Sequence, residues 1–164
     1  MKKLTLTSLY TLIALSAAPA FAQIYEWKFE TSEPTDINWS DIEWAKTEFA
    51  ENRDKFYLNI DNSTSSTVKI VGGETVNMIE DASMYLQNDT KLVIGDTEGD
   101  QISTLHFVAT GSKDTFLEIT GRSSVVVNKN GVLTVDANRP IRWWAPSNTV
   151  AEDFVAFLVD GGTV

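Results

Sequence analysis

The most chemically unusual run in this chain is Arg139-Pro140-Ile141-Arg142-Trp143-Trp144. Two adjacent tryptophans on a strand point to opposite faces, so at most one is readily buried. An exposed indole beside a guanidinium makes a platform for a sugar ring, with the arginine bonding hydroxyls or a carboxylate. Arg139, Arg142, Trp143 and Trp144 are therefore candidate ligand-binding residues. The competing reading is local packing, with Trp144 filling a widened coil and Arg142 stacked on it as a cation–π pair.

Asp96, Glu98 and Asp100 alternate around Gly95 and Gly99. Three oxygen donors in one loop are a candidate Ca²⁺ site. The calcium-loop pattern is met only in part: Gly99 falls before Asp100, and Phe107 stands where a bidentate Glu is wanted. The single histidine, His106, sits between Leu105 and Phe107. Alternation puts it on the opposite face from both, as a surface-strand residue. No Ser-His-Asp, paired-Glu or nucleotide-loop pattern is visible, so catalysis is not expected.

The chain has no cysteine, which excludes thiol chemistry, disulfides and Cys-ligated metals. Its net charge is −10, with no basic stripe. Such a surface repels nucleic acid phosphates and anionic membranes. At its start, Lys2 and Lys3 precede an uncharged Leu/Ile/Ala-rich run over 4–18, then Pro19 and Ala20-Phe21-Ala22. This order of features is that of a secretory signal peptide over 1–22, with the mature chain beginning at Gln23. The apolar run is too short for a stable membrane span. Export through the inner membrane of a bacterium is expected, and the mature chain is not expected to span a membrane.

The elements that must position these residues read as strands. Short period-2 runs, rich in Val, Ile, Leu and aromatics, each end at Gly, Asn or Asp: 68–71, 75–78, 84–86, 92–94, 105–108, 116–119, 125–127 and 132–135. Ser83, Ser103 and Ser123 open strands 20 residues apart, and Leu92-Val93-Ile94, Leu117-Glu118-Ile119 and Leu133-Thr134-Val135 share a form. Repetition at that period signals a solenoid. The fold expected over 61–164 is an all-β parallel β-solenoid, with the three serines in one column and 83–86, 103–108 and 123–127 paired in register. The alternative is an antiparallel β-sandwich, for which Asn130-Gly131 between two strands supplies a hairpin signal.

Residues 23–60 read differently. Tyr25, Trp27 and Phe29 alternate, as do Phe56, Leu58 and Ile60, and Ser40 with Glu43 has capping-box spacing for a helix over 41–53. The expectation is an aromatic N-terminal cap, because a bare first rung exposes unpaired backbone.

These residues resemble a known family. The signal peptide, the Trp-rich opening with Asn38-Trp39-Ser40-Asp41 and Trp44, and the Gly/Asn-punctuated coils ending in Leu-x-Ile or Leu-x-Val look like the start of an autotransporter passenger domain. The resemblance implies a β-helix at a Gram-negative cell surface or released from it, serving adhesion, biofilm formation or shielding. Host or cell-surface glycans or proteins are the partners it suggests. The family's membrane barrel has no counterpart up to Val164, so the chain reads as the N-terminal piece of a longer protein, or as a short relative retained in the periplasm. A solenoid end left open is also expected to self-associate. The run 154–159 reads as one more rung.

Overall fold

The computed structural model describes residues 26–29, 34–42, 55–58, 65–78, 82–108, 117–136, 141–144 and 154–164. Thirteen strands are described: β1 Glu26–Phe29, β2 Thr35–Asn38, β3 Lys55–Leu58, β4 Ser66–Ile70, β5 Thr75–Met78, β6 Ser83–Leu86, β7 Lys91–Ile94, β8 Ser103–Phe107, β9 Leu117–Thr120, β10 Ser124–Asn128, β11 Gly131–Val135, β12 Ile141–Trp144 and β13 Phe157–Asp160. They form three parallel sheets, ordered β1-β3-β6-β9-β12 (face A), β2-β4-β7-β10-β13 (face B) and β5-β8-β11 (face C). From β3 onward the chain visits A, B and C in turn and then rises one rung, so the fold is a parallel β-solenoid.

The interior follows from alternation. Along β4 and β8 every second residue is buried. On face A, Phe56, Met84 and Leu117 stack as one inward column; on face B, Val68, Leu92 and Val125 form another; on face C, Val76, Leu105 and Leu133 form a third. All nine are buried. Burying each such side chain stabilises by roughly 1.5–3 kcal/mol.

Every ladder between named strands is parallel, so the sandwich alternative fails. Asn130-Gly131 does not close a hairpin. It turns the chain from β10 on face B to β11 on face C, because the backbone groups of β10 are taken by β7 and β13, and β11 is paired with β8. The corner admits no side chain at Gly131 or at Gly95 beneath it. A Cβ on Gly95 (φ +81°) would lie 2.1 Å from the Gly131 nitrogen, and one on Gly131 would lie 2.1 Å from the Ile94 carbonyl oxygen.

The 20-residue register is corrected. One turn of the solenoid separates Thr67 from Lys91 at its shortest and Lys91 from Ser124 at its longest. A step of 20 residues therefore moves the chain to another face, not to the next rung. Ser83 lies on face A, Ser103 on face C, and Ser123 leads into face B. The three serines form no column, and 83–86, 103–108 and 123–127 do not pair with one another. The three Leu-x-Ile/Val strands likewise lie on B, A and C. What repeats is the local recipe for a strand with its corner, which every face needs equally. Ser103 Oγ accepts the Gly73 N–H (3.0 Å), and Ser123 Oγ accepts the Thr90 N–H (3.2 Å), each tying one corner to the coil before it.

Where it is described, the segment expected as a cap is itself coil. β1 pairs with β3, β3 with β6, and β2 with β4, all in parallel register. The expected helix over 41–53 lies, beyond Ile42, outside the described residues; Trp39–Asp41 form a 3-10 turn. Trp39 and Ile42 are buried there, and the Trp39 ring lies 6.2 Å from that of Phe56. The Ser40 backbone N–H bonds the Glu74 carboxylate at the β4–β5 corner. Burial nonetheless holds the Glu74 pKa above its ordinary value, and nearby Asp41 adds to the rise.

Candidate functional site

The structure separates the sequence candidates. Arg139 lies outside the described residues. Arg142, Trp143 and Trp144 fall on β12, the last rung of face A, where they register with Glu118, Ile119 and Thr120. Parity turns Trp143 to the same side as buried Ile119, and Arg142 and Trp144 to the outer side. Trp143 is engaged. Its indole N–H donates to the Gly121 carbonyl (3.4 Å), and its ring stacks on Phe154 with centroids 6.5 Å apart. Trp144 is the more exposed of the pair, so any stacking platform rests on Trp144 with Arg142 beside it in the strand.

Asp96, Glu98 and Asp100 sit in the loop between β7 and β8. The Asp96 carboxylate accepts the Gly72 N–H (2.9 Å). The Glu98 and Gly99 carbonyls accept from the Asn130 side-chain amide, at 3.2 and 2.8 Å. The loop is thus held from both sides by backbone and amide donors. Among the described residues no three His, Asp or Glu side chains converge to hold a metal ion. His106 lies on the outer side of β8, as alternation requires, with Nε2 3.0 Å from the Asp136 carboxylate. This is a partly exposed pair on face C.

A groove that no sequence motif announces lies on face B. It encloses about 550 Å³, within the range of small-ligand sites. Its floor is the outward column Asp36, Thr67, Lys91 and Ser124, in register across four rungs. Two residues upstream on the same rungs stand Pro34, Ser65, Asp89 and Arg122, and Phe154 continues that line onto the last rung. Beyond Ser124 the groove opens onto an apolar strip of Val126, Val155 and Leu158. Asp89 and its neighbour Asn88 have φ of +59° and +51°, left-handed values that Asn and Asp tolerate better than most residues. Residues so scattered in sequence leave no local signal; only the coil register brings them together.

Among the described residues no helix is long and apolar enough to cross a membrane. Comparison with protein-family models, with characterised proteins and with solved structures finds no match to this chain.

Proposed function

We propose that this chain is an exported bacterial β-solenoid acting at the cell surface or in the medium, with a structural or adhesive role and no catalysis. The observation that carries the reading is the stack itself: three parallel sheets whose inward columns are apolar and whose outward faces carry polar columns such as Asp36-Thr67-Lys91-Ser124 on face B and Asn77-His106-Thr134 on face C. Such faces suit extended contact, because they repeat laterally at every rung. The signal-peptide pattern over 1–22 supports export. The test is expression in a Gram-negative host, with mass spectrometry of the N-terminus, followed by adhesion of protein-coated beads to cell monolayers. A chain beginning at Gln23 and beads that adhere support the proposal. A chain that keeps Met1 inside the cell, or beads no stickier than albumin-coated controls, overturns it.

A second reading, a carbohydrate-binding module, is favoured by the exposure of Trp144 next to Arg142. Loss of neutral-glycan binding on Trp144→Ala is its expected signature in a glycan array.

A further inference from the structure

We infer that the face B groove is a binding site for an acidic saccharide chain. Neither the structural reading nor the Trp144 platform requires it.

The charges make the first argument. The chain carries a net charge of −10, yet the groove collects Lys91 and Arg122, on adjacent positions of one outer face. Neither side chain forms an ion pair or hydrogen bond among the described residues, although acidic side chains outnumber basic ones in the chain as a whole. Asp36 is already satisfied by Lys69 at 2.6 Å. Among the described lining residues, the two cations therefore outweigh the one remaining carboxylate, Asp89. A small basic site on an acidic protein draws an anion locally while the rest of the surface rejects charged competitors.

The mixture of groups makes the second. A site for a bare phosphate or sulfate gains nothing from Asp89. A polyhydroxylated ligand does, because carboxylates and the Ser65, Thr67 and Ser124 hydroxyls accept or donate to sugar hydroxyls. Phe154 offers a ring to a sugar face at the upper end. Its stacking on Trp143, and the bond from Trp143 to the residue before Arg122, fix both at that end.

The spacing makes the third. Equivalent positions recur at each rung, about 4.8 Å apart, close to the advance of a polysaccharide per sugar ring. A linear uronic-acid polymer laid along the solenoid axis meets a polar side chain at every ring and a cation on two adjacent rungs.

The probes are polygalacturonate, dextran and polyglutamate, each cast in native gels and titrated against the full chain. Polygalacturonate is expected to retard the protein, and the retardation to weaken as salt rises. Dextran and polyglutamate are expected to leave migration unchanged. Lys91→Ala with Arg122→Ala should weaken polygalacturonate binding at least tenfold, and Phe154→Ala severalfold. Lys91 and Arg122 are exposed, so the double variant should retain the parent far-UV circular dichroism. Trp144→Ala, outside the groove, should bind as the parent does. Equal retardation by polyglutamate, unchanged binding in the double variant, or loss confined to Trp144→Ala would each overturn the inference.

Discussion

The middle of the stack and its last rung use the same residue types in the same register, with opposite results. Ile119 is 1% exposed, whereas Trp143, its partner one rung up, is 48% exposed. Val127 is fully buried and Val159 above it is 45% exposed. Leu158 and Trp144, exposed on this rung at 44% and 61%, face outward by parity and are not part of the contrast. Inward parity alone therefore does not bury a side chain in a solenoid. A residue is buried by the rung on each side of it, and each strand's backbone is satisfied the same way. Where the described strands stop, the inward Trp143 and Val159 meet water, and a parallel edge so exposed pairs readily with other chains.

The contrast can be broken most forcefully by truncation. Phe107→Ala, in the middle of the stack, is expected to cost about 3–5 kcal/mol. Val159→Ala should stay within about 0.5 kcal/mol, as an exposed substitution does. Urea unfolding followed by circular dichroism measures both. Equal losses would mean that the last rung is covered in solution, by a second copy or otherwise.

A smaller effect sharpens the same point at the corners. Ser103 and Ser66 both open strands and are both buried. Ser103 Oγ has the Gly73 N–H as partner, whereas Ser66 Oγ has no hydrogen-bond partner among the described residues. Ser103→Ala should destabilise by about 1–2 kcal/mol, since it orphans a donor. Ser66→Ala should be neutral or stabilise by about 1 kcal/mol, since it removes an orphan. The midpoint of the same unfolding curve reports both signs.

The smallest expected effect lies at the lower end, at Glu74. Its pKa is raised in the fold, by burial first, above an ordinary value near 4.5. The folded chain then binds the proton more tightly than the unfolded chain. The stability this adds is complete below the ordinary value, falls as pH rises through the folded value, and is gone above it. Glu74→Gln should remove that slope, leaving the variant at least as stable as the parent at neutral pH. Unfolding midpoints collected from pH 4 to 7 test it.

Much of the architecture was legible in the sequence because strands advertise themselves locally. Val68, Ile70, Leu105 and Phe107 alternate with polar residues, and each faces inward as alternation demands. The run over 154–159 gave its rung at β13, and His106 its outward place. The coil length was not legible. The 20-residue serine spacing measures the distance between corners of different faces, and corner loops of unequal length hide the true turn. β2 was missed because Thr35-Asp36-Ile37-Asn38 carries one apolar residue and borrows its strand character from β4. The site was legible only where its chemistry was contiguous. Arg142-Trp143-Trp144 stands out as a run, while Lys91 and Arg122 become neighbours only after the coil closes.

The loop between β7 and β8 carries a consequence for how the molecule is made. Its Asp96 carbonyl accepts the Asn130 N–H, its Glu98 and Gly99 carbonyls are held by the Asn130 side chain, and the Ser103 N–H that ends it donates to the Asn130 carbonyl. Every chain is synthesised from its N-terminus, so these partners arrive some thirty residues after the loop itself. Until then the loop is held only from the coil below, where the Gly72 N–H reaches the Asp96 carboxylate and the Ile70 carbonyl accepts the Gly95 N–H. Growth of the stack is therefore a ratchet in time: each new turn locks the corner beneath it, and a pause before Asn130 leaves this acidic loop the last part of its coil to set.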